Sequence, residues 1–378
     1  MRVYKKAILP FGFKASGISC GIKKFGNLDL ALFYSDTPAK AACKFTMNKI
    51  QAAPIKINKR YLKANKEFQA IIINSGNANC FNAGQGLKDA KDVTDKTAEI
   101  LGIKNESVLA ASTGIIARKL PVAKITSGIK ELVAKLSCQG INEAKKAILT
   151  TDTFTKEITI KCGIGGKVVT LCGIAKGAGM IAPDMATLLA FIFTDADLTK
   201  NALNKALKEA VDKSFNCITV DGCMSTNDSV MLLANGKAKN ARINTGKNLK
   251  LFKDALTTVC LKLAKMIVRD AEGASKFVQI KVSKAKNPMQ ARKAALAIAN
   301  SNLFKIAIYG ENPNFGRIVA AVGASGVDVL ERSLKIKVSP LKGQDIFVDV
   351  ALGRGSSSAT VYTSDLTPKY IKINAEYN

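Results

Sequence analysis

The sequence predicts an α/β protein with mixed, α+β-like sheets lying between helices. Three observations carry this. Short β-branched runs alternate along the chain with segments of helical period. Their order is mixed and does not follow a regular strand–helix–strand repeat. The 378 residues, 47% hydrophobic and 23% charged, suffice for two or three domains with a sizeable core.

In chain order, Ala70–Ile73 and Val108–Ala111 read as strands, and Leu87–Leu101 and Val122–Leu136 as helices. Glu157–Lys161 alternates cleanly, with Ile158 and Ile160 on one face. Gly163–Gly166 links it to Lys167–Leu171 as a hairpin. Leu188–Phe193 is a strand-like apolar run. Thr199–Phe215 is a helix, with Leu203, Ala206, Leu207, Ala210 and Val211 at core-facing spacing. Val230–Ala234 is a strand and Leu251–Arg269 a helix. After the strand Phe277–Val282, Lys284–Pro288 has the composition of a boundary. Beyond it, Met289–Ala299 is helical. Lys305–Tyr309, Leu334–Val338, Ile346–Ala351, Ala359–Tyr362 and Tyr370–Asn374 read as strands.

Composition excludes whole classes of chemistry. There is no histidine, so no Ser-His-Asp or Cys-His arrangement and no His-ligated metal can exist. A base must be a carboxylate, a lysine, a thiolate or an α-amine. Nine scattered cysteines form no C-x-x-C pair, so no zinc site is expected and free thiols fit a reducing cytoplasm. No apolar run nears the about 20 residues that cross a bilayer, and Met1–Phe13 does not read as a secretory signal. The formal net charge of +28 suggests nucleic acid, but the basic residues are mostly lysine, spread evenly, without the arginine–aromatic motifs of such proteins. The expectation is a lysine-rich solvated surface that attracts small acidic substrates.

Four segments could carry chemistry. Gly173–Thr187 is the densest in glycine. Its Gly177-x-Gly179-x-x-Ala182 string matches a dinucleotide-binding pattern in form, but Pro183 follows where a helix should begin. The segment instead presents a threonine before a strand, after a loop whose glycines are expected to need positive φ. Without histidine, that hydroxyl can be activated by its own α-amine if the Ala186–Thr187 bond is broken. The amine has a pKa of about 7.7–8.0, which suits a base at neutral pH. A glycine-rich turn feeding a buried strand is the plainer alternative. Ser112-Thr-Gly114 could present a hydroxyl and an N–H to a developing oxyanion, or be an ordinary turn. Asn74–Asn79 reads as turn chemistry. Thr150-Thr-Asp-Thr153 is either a hydroxyl cluster or a helix end.

Together these segments resemble the ornithine/glutamate N-acetyltransferase (ArgJ) family. The resemblance extends through Leu30-Ala-Leu32, Ala52-Ala-Pro54, Lys176–Thr187, Ser214–Gly222, Ser225-Thr-Asn-Asp228, Arg269–Gly273, Asn312–Arg317 and Ile373–Tyr377. It implies a self-cleaving, N-terminal-nucleophile-type architecture of the ArgJ/DmpA kind, with a smaller C-terminal α/β domain. Cleavage at Ala186–Thr187 would give an α-chain of residues 1–186. The β-chain would comprise 187–283, completing the active site, and a C-terminal subdomain, 284–378. The resemblance implies that Thr187 takes an acetyl group from N-acetylornithine and passes it to glutamate. In bifunctional members acetyl-CoA is also a donor; no other cofactor is implied. By position, Thr113 and Gly114 match the oxyanion hole. Thr150, Lys176, Thr187, Glu272 and Asn374 match substrate contacts. A cytoplasmic heterotetramer of two α- and two β-chains is the implied assembly.

The resemblance has departures. Phe315 stands where tryptophan is usual, Ala117 where glycine is usual, and the family pattern carries a Ser or Thr one position beyond Asn378. Two other readings stay open: an amidase or aminopeptidase on the same scaffold, and a basic nucleic-acid-binding protein.

Overall fold

The structure, a computed structural model, describes residues 1–65, 67–182 and 188–376. Its first half runs β1 (Arg2–Tyr4), β2 (Phe13–Ile18), β3 (Leu30–Phe45), α1 (Ala53–Ala64), β4 (Phe68–Asn77), α2 (Ala83–Leu101), β5 (Val108–Ile115), α3 (Val122–Ala134) and α4 (Ile141–Ala147). There follow β6 (Lys156–Ile164), β7 (Lys167–Lys176), β8 (Leu189–Thr194), α5 (Lys200–Asp212), β9 (Ser229–Ala234) and α6 (Gly246–Arg269). The chain ends with β10 (Phe277–Ala285), α7 (Pro288–Ala299), α8 (Asn302–Tyr309), α9 (Gly316–Ala324), β11 (Lys335–Val338), β12 (Asp345–Ala351), β13 (Ser357–Ser364) and α10 (Pro368–Glu376).

Among the described residues nine strands form one hydrogen-bonded sheet: eight follow the path β1-β6-β7-β8-β9-β3-β4-β5, and β2 pairs with β3 off that path. The 16-residue strand β3 makes this possible. Its first part pairs with β2 and β4, and Lys40–Phe45 pair with β9. Between them Pro38 supplies no N–H, and the register with β4 shifts between Tyr34 and Ala39. The path therefore turns a corner there and gives two layers. Their inner faces meet through Phe33, whose ring lies 4.8 Å from that of Phe193 and 5.7 Å from that of Phe191. Each such buried ring contributes about 1.5–3 kcal/mol through the area it removes from water. On one outer face Ile160, Leu171 and Ile192 pack against Leu203 and Leu207 of α5 and Leu256 and Leu263 of α6. On the other, Leu32, Ile72 and Ala110 pack against Val93 of α2 and Ile125 and Leu132 of α3. The result is helix–sheet–sheet–helix. The β6–β7 hairpin turns at Gly165 and Gly166, both at positive φ, as its glycines suggest.

A second sheet, β11-β12-β10-β13, has β10 and β12 parallel and its other pairs antiparallel. It buries Ile280, Val282, Val348 and Val361 against α7, which contributes Ile298. It leans on the main body through Phe277 and Tyr362, whose rings stack at 5.8 Å. Among the described residues no helix is long and apolar enough to cross a membrane.

Two expected strands are helices. Lys305–Tyr309 lies in α8: Phe304, Lys305, Ala307 and Ile308 are buried while Leu303, Ile306 and Tyr309 are exposed, a helical period that its β-branched residues disguise. The Ser301 hydroxyl caps this helix by accepting from the Phe304 N–H. Tyr370–Asn374 lies in α10, which Pro368 opens and whose Tyr370 N–H donates to the Thr367 hydroxyl. The expectations did not include β1, β2, β3, α1, α4 or α9.

Candidate active site

A cleft of about 590 Å³ opens where the ends of β5 and β7, the loop after α4, the loop after α6 and α10 converge. Thr113, Gly114, Thr150, Lys176, Glu272 and Asn374 all line it, with Ser225, Asn227 and Gly179 beside them. The six come from distant parts of the sequence, and the fold gathers them. Ala186 and Thr187 lie outside the described residues.

Lys176 is the last residue of β7 and only 3% exposed. Its Nζ donates to the Thr150 hydroxyl at 2.7 Å and the Thr113 hydroxyl at 3.2 Å. Burial pulls the ammonium below its ordinary range, against the attraction of Asp152, Glu272 and Asp228. Asp152 Oδ2 stands 3.9 Å away. Its Oδ1 accepts from Lys156 Nζ at 2.6 Å and from the Gly177 N–H at 2.7 Å. Burial alone would raise the Asp152 carboxyl, but Lys176 and Lys156 outweigh it and bring it down to about 2. Lys156 also donates to Asp270, the residue capping the C-terminus of α6, and Asp270 accepts from Thr153 N–H at 3.0 Å. This buried triad fixes the Thr150–Thr153 loop to the segment carrying Glu272.

Thr113 and Gly114 end β5, where it runs beside β4. Gly114 has φ +131°, and a Cβ there would sit 2.3 Å from the Gly76 carbonyl carbon, so only glycine fits. Asn227 Nδ2 donates to the carbonyls of Ala78 (2.7 Å) and Ser112 (2.8 Å), and the Ser112 hydroxyl donates to Asn74 Oδ1 at 2.6 Å. The Asn74–Asn79 segment, read from sequence as a turn, is largely the end of β4, and its Asn74 amide accepts from Ser112 near the tip of β5.

The loop Gly177–Ala182 continues without a helix. Of the glycines expected to need positive φ only Gly177 has it; Gly173 and Gly179 do not, while the non-glycine Met180 does, at +56°. Gly179 leaves room for Glu272: a Cβ there would lie 2.2 Å from Glu272 Oε2 and push that carboxylate aside. The Glu272 N–H donates to the Ala178 carbonyl at 3.0 Å, and Asn374 Nδ2 donates to Glu272 Oε2 at 2.8 Å. Asp221 accepts from Met180 N–H (2.6 Å), Ile181 N–H (3.0 Å) and the Tyr370 hydroxyl (3.1 Å), tying α10 to the same loop.

Sequence reasoning missed Asp152 as a charge, and with it Lys156, Asp270, Asp221 and Asn227. Asp152 stood inside Thr150–Thr153, noted for its hydroxyls; its cationic partners became visible only when the fold buried them. All nine cysteines are free thiols.

The cleft presents a buried ammonium, two hydroxyls and a carboxylate around a glycine-rich loop, which defines an enzyme acting on small charged molecules. The chain matches the ArgJ family over residues 14–378. It is 44% identical to the arginine biosynthesis bifunctional protein ArgJ of Caldanaerobacter subterraneus subsp. tengcongensis, covering 98% of each chain. It is also 44% identical to the protein of that name from Dehalococcoides mccartyi, over 97% of this chain and 96% of the other. Ornithine acetyltransferase from Mycobacterium tuberculosis, solved in complex with ornithine, is similar at 32% identity, covering 50% of this chain and 98% of its own, with a TM-score of 0.44. The chain belongs to the ArgJ family, as the motifs suggested.

Proposed function

We propose that this enzyme of arginine biosynthesis transfers the acetyl group of N-acetylornithine to glutamate through an acetyl ester on Thr187, after self-cleavage between Ala186 and Thr187. The observation that carries the reading is the meeting of Thr113, Gly114, Thr150, Lys176, Glu272 and Asn374 in one cleft, beside Gly179 and Met180. Relatives spanning nearly the whole chain bear the name arginine biosynthesis bifunctional protein.

The steps follow from the groups at hand. The Thr187 hydroxyl adds to the acetyl carbonyl, and its proton passes to the α-amine of the same residue. The Thr113 hydroxyl and the Gly114 N–H hold the oxyanion. The C–N bond breaks, and ornithine leaves with the proton from that amine. The amine of glutamate then attacks the ester, gives up a proton to the α-amine and releases the Thr187 oxygen, which takes that proton back. Lys176 and Thr150 hold the substrate α-carboxylate. Glu272 pairs with the side-chain ammonium of ornithine, oriented by Asn374, whose amide both donates and accepts. Acetyl-CoA is an alternative donor to the same hydroxyl. No metal or bound cofactor takes part in this route. The working assembly is a cytoplasmic heterotetramer of two α- and two β-chains.

The test has two parts. Denaturing electrophoresis should show two fragments, one with Thr187 at its N-terminus, and Thr187→Ala should remain one inactive band. An acetyl-transfer assay with glutamate as acceptor should then consume acetylornithine, with acetyl-CoA offered separately to define the donor range. An intact active chain, or an acyl-enzyme discharged only to water, overturns the reading.

A further inference from the structure

We propose that Tyr370 and Asp221 are positioning residues for the recognition of ornithine: their hydrogen bond holds α10 where Asn374 can fix the carboxylate of Glu272. The inference rests on the acetyl-transfer reading and deepens it with two residues outside the family positions matched above.

The helix α10 buries none of its residues. Tyr370 and Ile373 are half-buried, and the others are exposed. Packing therefore does little to hold it, since apolar stabilisation follows the area removed from water. Polar contacts hold it at three places. Just before its start the Thr367 hydroxyl donates to the Gly273 carbonyl at 2.7 Å. In its first turn the Tyr370 hydroxyl donates to Asp221 Oδ2 at 3.1 Å. One turn further on, Asn374 Nδ2 donates to Glu272 Oε2 at 2.8 Å and to the Tyr370 carbonyl at 3.0 Å.

These anchors differ in what backs them. Gly273, at φ +69°, lets the two segments approach so closely that a Cβ there would lie 2.5 Å from the Tyr370 nitrogen. The start of α10 thus rests on the residue that follows Glu272. Asp221 is held by backbone: it accepts from the N–H groups of Met180 at 2.6 Å, Ile181 at 3.0 Å and Cys223 at 3.0 Å. The Ile181 carbonyl accepts in turn from the Val220 N–H at 2.8 Å. Asp221 is a fixed post, and the Tyr370 hydroxyl ties the helix to it. Asn374 is exposed and reaches Glu272 only from where the helix places it. Tyr370 and Asn374 are one turn apart and share a face of α10, so the bond at Tyr370 sets the reach of Asn374. Without the phenol oxygen the helix keeps its anchor at Thr367 and swings about it. Asn374 then leaves Glu272, and the carboxylate loses the orientation in which it meets the ornithine ammonium.

Tyr370→Phe deletes the hydroxyl and keeps the ring. In the full-length protein KM for acetylornithine should rise about 10-fold, the lower end for one hydrogen bond to a charged group. The turnover number and KM for glutamate, which carries no ammonium on its side chain, should change little. In an Asn374→Ala background the same substitution should add nothing, because both changes act through one contact. Urea denaturation of Tyr370→Phe should give the wild-type midpoint, since α10 buries no side chain. An unchanged KM for acetylornithine, or effects that add fully in the double variant, would overturn the inference. A failure to fold, or KM values that rise alike for both substrates, would make the hydroxyl merely structural and overturn it too. A wild-type protein that transfers no acetyl group from acetylornithine would instead sink the acetyl-transfer reading itself.

Discussion

Lys176 Nζ lies 2.7 Å from the hydroxyl of Thr150, so a cation at the end of one sheet is aimed by a loop from the far side of the cleft. The loop is in turn held by Asp152, which accepts from the Thr150 N–H at 3.1 Å. The cation that meets a substrate carboxylate is thus fixed in direction as well as in charge.

Lys176→Ala removes that cation. A hydrogen bond to a charged group contributes about 1.5–3 kcal/mol, so kcat/KM for glutamate should drop roughly 10- to 100-fold. Steady-state kinetics with varied glutamate measures this, and unaltered glutamate kinetics would remove Lys176 from the carboxylate site.

Lys156→Met leaves Asp152 and Asp270 buried without their shared cation. Breaking such a network from one side costs about 3–5 kcal/mol. Urea denaturation should show a correspondingly lower midpoint, and a wild-type midpoint would mean that the triad adds nothing to stability.

Acid should weaken the wild type through Asp152 in a defined window. The native carboxyl lies at about 2, below its ordinary 3.8. Above pH about 4 it is ionised in both folded and unfolded chains, and the full contribution, about 2 kcal/mol, is present. Between pH about 4 and 2 the unfolded chain takes up the proton first, and the contribution disappears. Asp152→Asn should therefore lose stability less steeply over that range, and parallel curves for the two proteins would refute the linkage.

Gly179→Ala forces a methyl against the Glu272 carboxylate. Glu272 must turn away from its bond to Asn374, so KM for acetylornithine should rise about 10-fold, roughly one charge-assisted contact. Glutamate, which has no cationic side chain, should be affected less. Equal effects on both substrates would detach Glu272 from ornithine recognition.

Much of the fold was legible wherever burial follows local period. The stripe on α5 and the alternation in β6 were visible because each element has a clear inner face. The long strand β3 was not, because Ser35–Lys40 is polar and holds a proline, which reads as a loop until two neighbouring layers pair with its halves. Lys305 misled for a related reason: it is buried, with its Nζ on Thr363 Oγ1 at 2.9 Å, so a charged residue interrupts the apolar face of α8. For the site, the threonine- and glycine-bearing segments stood out in the sequence, and the family resemblance pointed to Lys176, Glu272 and Asn374. The carboxylates that orient them did not, since Asp152 and Asp270 meet at Lys156 only in three dimensions.

If the chain is cut before Thr187 as proposed, the order of strands decides the fate of the two pieces. β8 and β9, both downstream, lie side by side in the middle of the path, with β7 hydrogen-bonded on one flank and β3 on the other, both upstream. Severing the chain there removes one covalent bond and none of these ladders. Two polypeptides so formed would stay interleaved like fingers of clasped hands, and separating them would demand the same unfolding that undoes the intact chain.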